Sequence, residues 1–176
     1  MADAQPACRI LPLDWSDPVR LAAARTVIVD AFADADRYPL ARIKQELQPG
    51  IPPFLRQFFI AEQKVAGEVR IVGVGGIKAA DWASGLHVLY LSAVQKAVRG
   101  QGIGRALVEA RLDWLRQQPG SGRVMVSTQK LRRFRGLGFK VVSATPPLSR
   151  TADNQHSRKR RVAVEDGRRY LMLLEF

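Results

Sequence analysis

The run His87-Val88-Leu89-Tyr90-Leu91-Ser92-Ala93-Val94 constrains this chain more than any other segment. A strand with one face in water alternates apolar and polar residues. A strand that is apolar almost throughout needs cover on both faces. The chain must therefore build a sheet with helices on each side of this strand. A glycine-rich stretch, Arg99-Gly100-Gln101-Gly102-Ile103-Gly104, comes directly after it. Ile103, Leu107, Ala110 and Trp114 then recur at helical spacing and form an apolar stripe, which Pro119-Gly120 ends. The unit is a central strand, a glycine turn and a helix.

The flanking segments fit the same architecture. Ser16-Asp17-Pro18 reads as a helix start, a capping residue followed by proline in the first turn. Leu21, Ala24, Ile28 and Ala31 carry that helix to about Phe32. Leu40, Ile43 and Leu47 predict a second, shorter helix stopped by Pro49-Gly50. Gln57–Glu62 and Arg70–Ile77 are β-rich runs separated by turn residues around Gly67. Beyond the glycine turn, Arg123–Ser127 predicts a strand, Leu131–Leu137 a short helix ending at Gly138, and Lys140–Ser143 and Arg169–Phe176 two strands. Thr145–Gly167 is long, polar and irregular, as functional or disordered loops are. The order of elements predicts a mixed α/β (α+β) fold with a mixed, mostly antiparallel central sheet and helices on both faces. With no repeat and no composition break, residues 1–176 read as a single domain with a flexible tail over residues 1–8.

Composition narrows the function classes. Twenty-eight Lys and Arg against 16 Asp and Glu give a net charge of +12 and a pI near 10.8. Such a balance suits a nucleic-acid surface or another anionic partner. The basic residues are spread along the chain, with denser patches only at Lys130–Arg135 and Arg158–Arg161. Neither zinc-ligand spacing nor an aromatic-rich RNA-binding signature accompanies them. Nucleic acid is therefore not the favoured partner, and a small anionic ligand fits better. No metal site is expected. Cys8 is the sole cysteine, which excludes an internal disulfide. No apolar run reaches the roughly 18 residues of a membrane span, and Met1–Arg9 lacks the apolar block of a signal peptide. A cytoplasmic location is the default expectation.

The glycine turn carries the chemistry. A helix N-terminus presents unpaired backbone N–H groups and the positive end of the helix dipole. Glycines let a phosphate come close to that backbone, because no Cβ intervenes. The combination is a pyrophosphate cradle, to which Arg99 and Arg105 can add charge-assisted contacts. A P-loop is excluded, since no Gly-Lys-Ser/Thr closes the stretch. A dinucleotide fingerprint is excluded too, since the third glycine of Gly100-Gln101-Gly102-Ile103-Gly104 falls too early.

Arg99-Gly100-Gln101-Gly102-Ile103-Gly104 resembles the Q/R-x-x-G-x-G/A signature of the GNAT acetyltransferase superfamily. Leu131-Arg132-Arg133-Phe134-Arg135-Gly136-Leu137-Gly138-Phe139 is similar to that family's second motif, a short helix ending in Gly-Phe. The order of elements over about residues 9–176 resembles it as well. The resemblance implies acetyl-coenzyme A (acetyl-CoA) as cosubstrate and no metal. Gly100, Gln101, Gly102, Ile103 and Gly104, with Arg99 and Arg105, would hold the pyrophosphate. The backbone of Ala93 and Val94 would bind the pantetheine arm, where the central strand splays from Val124–Ser127. A neutral amine, small-molecule or peptide, would attack the acetyl carbonyl directly. A homodimer is the family's common habit.

The proton carriers are less plain. In many members the acid is a tyrosine five residues before the Phe of Gly-Phe, and here that position is Phe134. It lines the cofactor site in the family pattern but carries no transferable proton. The family's proline after the strand is Lys96 here. His87 is a base candidate because its pKa lies near the useful range. Tyr90 and Ser92 are hydrogen-bond donor candidates, expected to share one strand face with Val94 by alternation. Glu62 and Glu68 read as solvated surface. Two rival functions stay open: a CoA-binding sensor or interaction module without turnover, motivated by Phe134, and a basic nucleic-acid binder, motivated by the charge.

Overall fold

Asp17 caps the first helix. Its carboxylate accepts hydrogen bonds from the backbone N–H groups of Val19 at 3.1 Å and Arg20 at 2.9 Å, and Pro18 takes the first helical position, where no N–H is needed. The neighbouring Ser16 instead bonds Asp14. The computed structural model describes residues 8–32, 39–120, 122–145 and 168–176. Most of the tail expected over residues 1–8, the Thr145–Gly167 loop beyond its first residue, and Arg158–Arg161 within it lie outside these.

Among the described residues there are seven strands and four α-helices, a mixed α/β fold. The contacts divide the chain into two compact units, residues 1–122 and residues 123–176. The first holds β1 (Arg9–Pro12), α1 (Pro18–Phe32), α2 (Leu40–Glu46), β2 (Arg56–Val65), β3 (Glu68–Ala79), β4 (Leu86–Val94), a 3-10 turn (Lys96–Val98) and α3 (Ile103–Arg116). The second holds β5 (Arg123–Thr128), α4 (Leu131–Arg135), β6 (Lys140–Thr145) and β7 (Arg169–Glu175).

In the first unit β1, β2, β3 and β4 are joined antiparallel in sequence order. Ala66 and Gly67, both with positive φ, make the two-residue turn that sets Val65 opposite Glu68. α1 and α2 cover one face, burying Ala24, Val27, Ile28, Ile43 and Leu47 with Phe58, Ile60 and Val74. Each large side chain removed from water this way contributes about 1.5–3 kcal/mol. α3 covers the other face with Ile103, Leu107, Val108, Leu112 and Leu115. Cover on both faces is what the apolar β4 required.

Two features depart from the sequence reading. The sequence reading assigns no element before Ser16-Asp17-Pro18. Instead Arg9–Pro12 pairs with Phe59–Glu62 as an edge strand, and its terminal proline is tolerated there because an edge needs fewer N–H donors. The buried stripe of α3 also differs. It runs Ile103, Leu107, Arg111, Leu115, while Ala110 and Trp114 are only half-buried. An arginine occupies the middle of the apolar face.

In the second unit β7 lies between β5 and β6, antiparallel to both. Val124, Val126, Met172 and Phe139 are buried here.

Candidate functional site

β4 reaches the glycine turn through an irregularity. Tyr90 faces Gly76 and Ala93 faces Val74, so Leu91 and Ser92 together oppose the single residue Gly75. This two-against-one bulge places Leu91 at φ +44°, a left-handed conformation that costs a non-glycine residue roughly 1–2 kcal/mol.

The bulge resets which way the side chains point. Tyr90 packs on the α1/α2 face, edge-on to Phe58 at 5.3 Å, with the Lys78 ammonium 4.6 Å above its ring. Ser92 turns to the opposite face, where its Oγ accepts a hydrogen bond of 2.8 Å from Arg111 of α3. The expectation that Tyr90 and Ser92 share a face is therefore corrected. Alternation holds only in an unbroken ladder, and the inserted residue breaks it.

His87 lies at the start of β4, opposite Ala79, and is 6 % exposed. The three polar candidates are not one constellation. Ser92 stands five residues along the strand from His87, on the order of 16 Å at about 3.3 Å per residue, and Tyr90 is across the sheet. Burial pushes the His87 imidazole below its ordinary 6.5, so it is neutral at pH 7. A group that resists protonation in the folded state lowers stability as pH falls below its unfolded value. The stability advantage of wild type over His87→Phe should therefore narrow as pH drops from about 6.5, in urea titrations. A difference independent of pH would show that His87 titrates as it does in the unfolded chain.

The turn itself is open. Gly100 and Gly102 have φ of +86° and +80°, and a Cβ at either would meet nothing within 4 Å. Gly102 is the residue before the first turn of α3, and no side chain caps that helix. The N–H groups of Arg105 and Ala106 return to the Gly102 carbonyl, so the intrahelical ladder starts there and the amides of Ile103 and Gly104 precede it. Open space over two left-handed glycines, beside uncapped amides, is what a pyrophosphate needs.

The side chains around the turn are partly committed. Arg99 donates its Nε–H to the Val94 carbonyl at 2.9 Å, which straps the turn to the end of β4. A guanidinium has five N–H donors, so the others remain for an anion. Arg105 pairs with Glu109 at 2.8 Å, one helical turn on. Gln101 accepts a 2.9 Å hydrogen bond from the Nε2 of Gln63, a 3 % exposed residue of β2. Ala93 and Val94 pair with Val74 and Gly73. Glu62 and Glu68, read as surface, form ion pairs with Arg20 and Arg70.

In the second unit Phe134 is buried, its ring edge-on to Phe139 at 5.3 Å. Around it, Lys130, Arg132, Arg133 and Arg135 are exposed. Thirteen of the 28 basic residues but only four of the 16 acidic ones lie from Arg123 onward, so most of the net charge is concentrated in this unit. His156 lies outside the described residues. No helix among the described residues is long and apolar enough to cross a membrane.

Sequence reasoning missed Arg111, Gln63 and the bulge. Arg111 had a signal, since it sits four residues from both Leu107 and Leu115 in the apolar stripe. The Gly73-Val74-Gly75-Gly76 run was a second signal, because glycines in a strand mark a close approach by other atoms.

A strand bulge thus leads into an open glycine turn at a helix N-terminus within a mixed α/β fold. The sequence profile of the acetyltransferase (GNAT) family matches residues 25–139, and the chain belongs to that family. No curated protein matches the sequence. Among solved structures the chain is similar to an aminoglycoside 6'-acetyltransferase type Ii, with 15 % identity, 95 % of this chain and 96 % of that chain covered, and a TM-score of 0.67. It is also similar to the ribosomal-protein-S18-alanine N-acetyltransferase of Escherichia coli, with 17 % identity, coverage of 96 % and 94 %, and a TM-score of 0.65. A Mycobacterium tuberculosis protein solved with CoA and NLQ matches at 24 % identity, coverage of 97 % and 99 %, and a TM-score of 0.60. At these identities the likeness is one of fold.

Proposed function

We propose that the protein is an acetyl-CoA-dependent N-acetyltransferase that passes the acetyl group directly to an amine. The observation that carries this reading is the open face of Gly100 and Gly102 over the uncapped amides of Ile103 and Gly104. The concentration of basic residues beyond Arg123 suits a polyanionic donor. The neighbours solved with CoA support the same donor.

In this reading the turn binds the pyrophosphate, and the backbone of Ala93 and Val94 orients the pantetheine arm. A neutral amine attacks the acetyl carbonyl, its nitrogen gives up one proton to water, the carbon–sulfur bond breaks, and the sulfur leaves as thiolate to be protonated. Ser92 is the candidate donor for that proton. Its oxygen already accepts from Arg111, so its own O–H is directed elsewhere, and a cationic donor makes a hydroxyl more acidic. His87, neutral but buried, and Tyr90, packed among rings, are weaker candidates. The acceptor is an amine of a small molecule or a peptide.

Calorimetric titration with acetyl-CoA tests the donor assignment. Binding in the micromolar range is expected, and no heat at millimolar ligand would sink it. The second reading, a CoA-binding module without turnover, is favoured by the buried phenyl ring of Phe134 where the family pattern has a tyrosine. Free thiol released from acetyl-CoA in the presence of a broad amine panel separates the two.

A further inference from the structure

The guanidinium of Arg111 is completely buried, yet among the described residues no carboxylate pairs with it. Its Nε donates to the Leu107 carbonyl at 2.8 Å, within its own helix. Its Nη1 donates to the Gly76 carbonyl of β3 at 2.9 Å and to the Ser92 hydroxyl of β4 at 2.8 Å. Among the described residues its Nη2 has no hydrogen-bond partner. Gly75 makes the space, since a Cβ there would lie 2.7 Å from the Arg111 Cζ. A buried charge without a counter-ion is a poor way to stabilise a fold. An apolar side chain of similar volume would serve the core as well or better. What the guanidinium does that a methyl group cannot is reach both strands at one point, and that point is the bulge.

We propose that Arg111 is a positioning residue, which from α3 clamps Gly76 of β3 and Ser92 of β4 across the bulge and so sets the direction of the Leu91–Ala93 backbone and of the Ser92 hydroxyl. This rests on the acetyl-transfer reading for its catalytic consequence, but not for its structural one. The clamp holds Leu91 in its left-handed conformation. Released, β4 relaxes toward a regular ladder, and the backbone after the bulge, with Ser92, changes the face it presents. Burial pushes the Arg111 guanidinium down to about 9, so the clamp is still charged at neutral pH.

Two measurements on Arg111→Met, Arg111→Lys and Ser92→Ala test this. The first is hydrogen exchange by mass spectrometry, which needs no substrate. Arg111→Met should keep its melting temperature while peptides covering residues 89–94 exchange at least tenfold faster, with β2 peptides unchanged. Arg111→Lys, which can still donate to one strand, should recover part of that protection. The second is acetyl transfer from acetyl-CoA to whichever amine of the panel reacts with wild type. Arg111→Met should lower kcat at least tenfold with a smaller rise in KM for acetyl-CoA, because the glycine turn is untouched while the backbone proposed to hold the pantetheine arm shifts. If Arg111→Met fails to fold, Ser92→Ala carries the test, since it removes only one oxygen acceptor and should also loosen residues 89–94. Wild-type exchange over residues 89–94 in Arg111→Met, or in Ser92→Ala where Arg111→Met does not fold, overturns the clamp. If no amine reacts with wild type, the transfer reading fails on its own while the exchange result still decides the clamp.

Discussion

Gly102→Glu should weaken acetyl-CoA binding at least a hundredfold by calorimetric titration, while the circular-dichroism spectrum and the unfolding transition stay those of a folded protein. A hundredfold corresponds to about 2.8 kcal/mol, which one carboxylate can supply when it occupies the pyrophosphate position over the amides of Ile103 and Gly104. The space for it exists, because a Cβ at Gly102 meets nothing within 4 Å. The positive φ of Gly102 adds a strain of roughly 1–2 kcal/mol, within the 5–15 kcal/mol by which domains are stable. Gly102→Ala isolates that strain, since it carries the same backbone cost without the charge. Its affinity should fall far less. Unchanged affinity in Gly102→Glu would show that the turn is only structural.

The second large effect is on stability. Gly76→Val should destabilise the protein by about 3 kcal/mol. A Cβ at Gly76 would lie 2.7 Å from the Tyr90 Cε1 and 2.8 Å from the Phe58 Cζ. Neither ring can step aside easily. Phe58 is held edge-on to Trp15 at 5.9 Å and to Tyr90 at 5.3 Å, and it is fully buried. Overpacking of a filled core costs about 1–3 kcal/mol, and a branched side chain against two rings belongs at the upper end. At about 2–4 °C per kcal/mol for a chain of this size, the melting temperature should fall by roughly 10 °C in calorimetry. Gly122→Ala is the control. A Cβ there meets nothing within 4 Å, and the change should stay within about 0.5 kcal/mol of wild type. Equal losses in the two variants would mean that the ring contact is not what Gly76 protects.

The elements that the sequence made legible are those whose signal is local. β4 declared itself by continuous apolar residues, α3 by the glycines before it and the Pro-Gly after it, and α1 by Asp17-Pro18. The glycine turn was legible for the same reason, since its conformation follows from residue type alone. β1 was not, because four residues ending in proline acquire strand structure only by pairing with Phe59–Glu62, far along the chain. The bulge was hidden because Leu91 carries no mark of positive φ; the neighbouring elements impose it. With it went the facing of Ser92. Arg111 was hidden because a charged residue in a helix is ordinarily solvated, and only the packing of α3 onto Gly75 places it inside. The face of β4 on which a polar candidate stands is therefore a tertiary property, whereas the conformation of the glycine turn is a local one.

The hydrogen bond between Gln63 and Gln101 bears on affinity through entropy. Gly100 and Gly102 give the turn the widest backbone freedom of any residue type, and holding one residue in a single conformation costs on the order of 1–2 kcal/mol. A turn left to wander would meet that cost each time an anion bound. Tied through Gln101 to a buried side chain of β2, and through Arg99 to the end of β4, it meets most of it once, when the chain folds. In the proposed function the loop is ordered before its ligand arrives, and Gln63, which need not touch the ligand, would thereby contribute to how tightly it is held.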